Sequence, residues 1–299
     1  MVVITGLGEN DAIDPAALPS AKARRKPRFL LESHSMSGRG IGISKLAAVA
    51  LVAGGLGACA VVPETGRTQF NLISPSQERS LGQQAFVDVR RKLAASTDRN
   101  ATEMVRRVGQ RIADVANLPQ AKWDFVLFQN AEPNAFCLPG GKVGVYSGIL
   151  PITKDEAGLA TVIAHEVAHA VAHHGAEQMS EQMLWQGLGT AVFSSLSQMS
   201  EGARQLLYSA YGLGTLVGRT LPHSRMQEME ADGIGLIYMA RAGYDPEEAV
   251  LFWRRFAEYK KTKGGASKVD FLSTHPLDEQ RIANLQKLMP KARLQYRPR

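Results

Sequence analysis

Much that would place this 299-residue chain at a glance is missing from it. It has two cysteines, Cys59 and Cys137, enough for one disulfide at most. It lacks an obvious spanning helix. The uncharged apolar run at 46–58, "LAAVALVAGGLGA", is well short of the ~20 residues a bilayer requires. It lacks a basic stripe interleaved with aromatics, so its formal charge of +7 does not read as a nucleic-acid surface. Of that charge, +3 sits in residues 1–58 and +4 in the remainder. There is no internal repeat. What remains is an ordinary globular composition, 44% hydrophobic and 21% charged, long enough for one large domain or two small ones.

The run at 46–58 has the length of a signal-peptide apolar core, and Arg39 and Lys45 precede it as a positive flank. It ends in "LGAC", Leu56 to Cys59, which resembles the lipobox of bacterial lipoproteins. That resemblance implies cleavage before Cys59 and a lipid anchor on its thiol. Ala60, rather than aspartate, follows the cysteine, which implies the periplasmic side of the bacterial outer membrane. Residues 1–35 are polar and aperiodic, and Met36 begins a normal-length signal by itself. The expected layout is therefore a misassigned start or disordered leader (1–35), a lipoprotein signal peptide (36–58), a tether (59–75) and one domain (76–299).

Within that domain, apolar residues recur at helical spacing over 76–95 and 102–116. "WDFVLF" at 123–128 reads as a strand, and "NAFCLPGGKVGVYSG" at 134–148 as two short strands about a Pro-Gly-Gly turn. Thr153 to Glu156 has the pattern of a capping box opening a helix. Residues 225–242, 246–262 and 276–289 read as further helices. The order predicts an α+β fold, mostly helical, with a small antiparallel sheet beside the helix that carries the chemistry. Residues 183–200 and 205–218 lack charge but are too polar to span a membrane well; a hairpin or lid hinged at Gly212, Gly214 and Gly218 is expected there.

Four of the seven histidines crowd into ten residues, His165, His169, His173 and His174. His165 and His169 are four apart and share a helix face. Glu166 is turned about 100° from His165, so it reaches a water on a shared ion rather than the ion itself. This H-E-x-x-H pattern has the geometry of a zinc peptidase. Zinc needs a third protein ligand and an open position. On a continuing helix His173 drifts about 80° from His165, and His174 points elsewhere. The metzincin arrangement requires glycine at 172 and histidine at 175, where this chain has Ala172 and Gly175. The third ligand must come from another element. "SRMQEMEADGIG" at 224–235 offers Glu228, Glu230 and Asp232, of which Glu228 and Asp232 share a face. One carboxylate on the metal and another on a ligand histidine's far N–H fits that spacing.

"NAFCLPGG", "GKVGVYSGIL", "HEVAH", "SRMQEMEAD" and "STHP" (273–276) together resemble the CaaX prenyl endopeptidase / HtpX-type zinc metallopeptidase family, a gluzincin family, in its periplasmic lipoprotein branch. The resemblance implies one Zn2+ on His165, His169 and Glu228, with Asp232 behind the ligands and Glu166 as general base. His275 of "STHP" has two readings: a hydrogen-bond donor to the tetrahedral oxyanion, or a plug on the metal at rest. Arg225 is expected to pin Asp232 or a substrate carbonyl. The strand holding Gly144, Val145 and Tyr146 is expected to pair with an extended peptide. The family usually has alanine where Cys137 stands, and the cysteine reads as a small buried hydrophobe. The function implied is a zinc endopeptidase of the cell envelope acting on misfolded or unassembled polypeptides. The alternative is a client-binding assembly factor with latent proteolysis.

Overall fold

A computed structural model describes residues 59–185, 198–213, 223–262, 271–276 and 279–298. Elements are numbered along these residues. The signal-peptide reading of 36–58 and much of the expected lid lie outside them.

The segment expected as a tether is instead folded. β1 (Cys59–Val61) and β2 (Thr68–Phe70) form an antiparallel hairpin, with Cys59 opposite Phe70. Val62, beyond β1, is wholly buried in the main core, and Tyr238 donates a hydrogen bond to Glu64 in the hairpin turn. An extended tether would not bury an apolar side chain and seat its loop on a helix.

α1 (Pro75–Lys92) starts at Ser74, whose side chain accepts from the Gln77 amide while Gln77 reaches back, a complete capping box with Pro75 in the first turn. α2 (Arg99–Ala113) is capped by Asp98 and buries Val105, Val108 and Ile112. Three strands follow: β3 (Asp124–Phe128), β4 (Ala135–Leu138) and β5 (Lys142–Tyr146). They pair in the order β3-β5-β4, with β3 parallel and β4 antiparallel to β5. The sheet is thus mixed, not antiparallel as expected: the chain between β3 and β4 places β4 beyond β5. Both faces are apolar, so the strands read as continuous hydrophobic runs. One face packs with α2 and the histidine helix; the other carries Phe128, Phe136 and Tyr146 against α1.

A short helix, α3 (Leu150–Thr153), precedes α4 (Glu156–Val171), the histidine helix. The cap of α4 is Asp155, accepting from the Gly158 amide at 2.9 Å, not the predicted Thr153. Thr153 belongs to α3, and Lys154, at φ 67°, makes the corner between them. α4 is buried from Gly158 to its end. α5 (His174–Trp185) and α6 (Glu201–Ala210) pack with α1 and the aromatic face of the sheet. α7 (Arg225–Arg241) lies along α4; α8 (Glu247–Thr262), the short α9 (Phe271–Thr274) and α10 (Glu279–Gln295) close the far side. No helix among the described residues is long and apolar enough to cross a membrane.

α4 and α7 approach closely at Gly235. A Cβ there would lie 3.0 Å from the His165 amide nitrogen and 3.1 Å from the Ala164 carbonyl. The missing side chain is what lets the α7 acids reach the α4 histidines. Gly235→Val is expected to wedge the helices apart and destabilise the fold by about 1–3 kcal/mol, the usual cost of overpacking; urea unfolding would measure it, with a matched substitution at the open Gly202 as control.

Candidate metal centre

His165, Glu166 and His169 come from α4, Glu228 and Asp232 from α7, His275 from the residue after α9, and Arg281 from α10. His165 Nε2 and His169 Nε2 are 3.1 Å apart. Glu228 bridges them, Oε2 at 3.4 Å from His165 and Oε1 at 3.3 Å from His169. His275 Nδ1 lies 3.2 Å from His165 Nε2 and 3.0 Å from Glu228 Oε1. One donor atom from each of these four residues falls within 4.8 Å of the others, and all four are buried. Behind them, His165 Nδ1 meets Asp232 Oδ1 at 3.0 Å. Arg281 donates from Nε and Nη2 to the two oxygens of Asp232, each at 2.8 Å, and its Nη1 is 2.6 Å from Glu228 Oε2. The guanidinium lies 4.2 Å from the Trp253 ring, which also meets His165 edge-on.

The electrostatics follow from this packing. Burial by itself would push the Glu228 carboxyl up, but Arg281 and the imidazoles overcome it and hold the group well below the usual range. Asp232 is lowered by the same balance. Burial would lower His165, yet Asp232 and Glu228 raise it to about 9. Burial lowers His169, assisted by His223, whose ring stacks on it at 4.1 Å. Burial raises Glu166, whose Oε1 has no hydrogen-bond partner; His275 Nε2 stands 3.3 Å away without bonding geometry.

This donor set fits zinc. Two buried carboxylates share one guanidinium, and the imidazole nitrogens of His165, His169 and His275 converge beside them, so a bound cation could take the place of the proton that the acids otherwise hold on His165. Lone pairs of neutral imidazoles do not favour facing one another at 3.1 Å unless a proton or a cation lies between them. Two histidines and a glutamate are the ligand type of gluzincin sites.

The sequence pattern of peptidase family M48 matches residues 99–289. The chain belongs to peptidase family M48. It is 36% identical over 239 residues to the mitochondrial metalloendopeptidase OMA1 of Schizosaccharomyces pombe, covering 78% of this chain and 67% of that one. The OMA1 of Saccharomyces cerevisiae is 35% identical over 183 residues, 60% of this chain and 50% of its own. The β-barrel assembly-enhancing protease of Escherichia coli is 27% identical over 231 residues, 75% and 46% of the two chains. This M48 chain thus spans roughly half to two-thirds of these relatives. The zinc metalloendopeptidase class expected from the sequence stands at the level of the family. The expected bacterial outer-membrane location does not: relatives from fission yeast, budding yeast, zebrafish and Arabidopsis are named mitochondrial, and that overturns it.

The M48 site draws together His165, His169, Glu228, Asp232, Glu166 and His275, all read from the sequence. Two expectations need correction. The arginine that grips Asp232 is Arg281, while Arg225 is exposed at the start of α7, which leaves only its second reading, a contact with a substrate carbonyl. The signal for Arg281 was present: Arg281, Leu285 and Met289 form one buried stripe of α10, an apolar face interrupted by a guanidinium. Gly144, Val145 and Tyr146 lie in the central strand, with β3 on one side and β4 on the other, so their backbone is already paired and cannot take a peptide. Cys137 is buried, as expected, and burial together with the nearby Glu166 raises its thiol. Cys59 opens β1. His174, expected to point elsewhere, instead meets His169, and His223, outside every motif above, stacks on the same ring.

Arg281→Met leaves Asp232 and Glu228 buried without their counter-charge. It is expected to cost the zinc-free protein about 3–5 kcal/mol and to weaken zinc binding about 10–100-fold. Chemical denaturation and chelator competition read the two effects separately.

Proposed function

We propose that this chain is an endopeptidase that hydrolyses extended, misfolded or unassembled polypeptides at the His165–His169–Glu228 centre. The observation that carries the reading is the buried carboxylate of Glu166 beside that donor set, with one oxygen free of hydrogen bonds. Zinc held by His165, His169 and Glu228 would supply Lewis acidity, enough to lower the pKa of a water to around 7. Glu166 is placed to take a proton from water and hand it to the leaving amine. Asp232 and Arg281 keep His165 in one orientation, so its Nε2 faces the centre.

Substrate main chain is proposed to run along β4. Among the described residues β4 pairs with β5 alone, so its other edge has no strand partner. β4 also borders the site: the carbonyl of Pro133, just before it, accepts from the Phe271 amide, and Phe271 packs on the His275 ring. Recognition through main-chain hydrogen bonds leaves sequence preference loose, which suits unfolded clients. The name of the E. coli relative, a protease that enhances β-barrel assembly, accords with such clients. For location, the mitochondrial names of the other relatives stand in place of the outer-membrane reading.

The position of His275 favours a second element, a latent resting state. Its Nδ1 stands 3.2 Å from His165 Nε2 and 3.0 Å from Glu228 Oε1, close enough to compete with water for a shared ion. That supports the plug reading over the oxyanion reading. It also keeps alive an assembly-factor role in which proteolysis is held back.

Glu166→Gln is expected to lower cleavage of an unfolded protein by at least about 100-fold while one zinc stays bound; undiminished cleavage would sink the peptidase reading. A chelator should abolish wild-type cleavage, and added zinc should restore it. His275→Ala is expected to cleave faster than wild type, and a loss of cleavage with zinc retained would assign the side chain to the transition state instead.

A further inference from the structure

His169 has a second ring nitrogen, and its partner is unusual. Nε2 faces the donor cluster; Nδ1 points away and meets Nδ1 of the fully buried His174 at 2.8 Å. On a continuous helix a residue five positions on would point elsewhere, as the sequence suggested. The helix does not continue. α4 ends at Val171, His173 adopts a left-handed φ of 55° with its ring on Glu78 at 2.7 Å, and α5 begins at His174. The break turns His174 back under the metal ligand.

The far nitrogen of His174, Nε2, is 2.9 Å from Glu230 Oε2. The same carboxylate oxygen receives Arg67 Nε at 2.7 Å, and Thr65 donates to Oε1. Arg67 also grips Glu177 with Nη1 at 2.6 Å and Nη2 at 3.0 Å. A carboxylate clamped by a guanidinium is ionised and only accepts. His174 must therefore carry its proton on Nε2, which leaves Nδ1 bare. A bare Nδ1 accepts, so His169 must carry its own proton on Nδ1. That leaves His169 Nε2 unprotonated and aimed at the metal position, the tautomer a ligand needs.

Resting on the metal reading above, we propose that His174 is a positioning residue for ligand His169, with its tautomer fixed from Arg67 through Glu230. The two ligand histidines are thus oriented differently. His165 is held by a carboxylate directly, and His169 by a carboxylate acting through a second imidazole. Arg67 belongs to the turn of the β1–β2 hairpin, ahead of residue 99 where the family match begins. The N-terminal hairpin is accordingly part of the metal centre and not an appendage to it.

The test is zinc affinity of the full chain, by chelator competition, together with the visible spectrum of the cobalt-substituted protein. His174→Leu and Glu230→Gln are expected to weaken zinc about 10–100-fold and to alter the cobalt spectrum. Arg67→Met, at a partly exposed position, is expected to shift both readouts in the same direction by less. His174→Gln, which offers an acceptor and a donor, should recover affinity relative to His174→Leu. A merely structural role predicts lower melting temperatures with zinc affinity and spectrum of the folded protein unchanged; that result overturns the proposal. If His174→Leu does not fold, unchanged zinc affinity in Arg67→Met overturns it equally. A wild-type chain that binds no zinc overturns the metal reading as well, whereas a wild type that binds zinc alongside unaltered variants overturns the relay alone.

Discussion

Burying ionised groups in an apolar core costs several kcal/mol apiece unless opposite charge and hydrogen bonds compensate. The centre of this molecule is an answer to that constraint. Glu228 and Asp232 are buried side by side on α7, and Arg281 spans both from α10. The guanidinium is completely buried and stacked near Trp253, so its donors are held in a fixed fork. The second acid is met by the imidazoles, which raises His165, and a divalent cation would compete for the same carboxylate and the same ring nitrogens. Much of the surrounding fold serves this arrangement: α4 must be dry, α7 must come close, and α10 must fold back across them.

The close approach is set by small residues. Ala164 on α4 and Gly235 on α7 leave little between the two backbones. With that spacing fixed, a carboxylate at 228 reaches both histidines and one at 232 reaches the far nitrogen of the first. The spacing of four on each helix then has a joint consequence, because each turn of one faces a turn of the other.

A second layer of order comes from the hairpin and the helix break. Arg67 ties β1–β2 to Glu177 on α5 and Glu230 on α7, so three parts of the chain distant in sequence meet over His174. The tether reading failed here because Pro63, Gly66, Asn71 and Pro75 carry the same turn signals in a linker as in a packed hairpin. Only the burial of Val62 and the ion pairs of Arg67 separate the two. The location expected from "LGAC" failed for a related reason. A short apolar run ending in small residues and a cysteine is a weak address, and the relatives named mitochondrial outweigh it.

What the sequence determined by itself was the local chemistry. H-E-x-x-H at helical spacing places two imidazoles on one face whatever the rest of the chain does, and the spacing of 228 and 232 does the same for two acids. Periodicity also located α1, α2, α7 and α8 to within about three residues, but ended α10 six residues early. Tertiary structure alone decided which strand is central, which arginine neutralises the acids, and where His174 points. Strand order depends on crossovers that leave no periodic trace. Arg281 meets Asp232 across 49 positions of sequence. His174 turns toward His169 because a single residue, His173, leaves the right-handed helix, and that is fixed by Glu78 reaching across from α1. Contacts between residues far apart in the chain carry no spacing rule, so physical reading of one sequence reaches the ligands and stops short of what aims them.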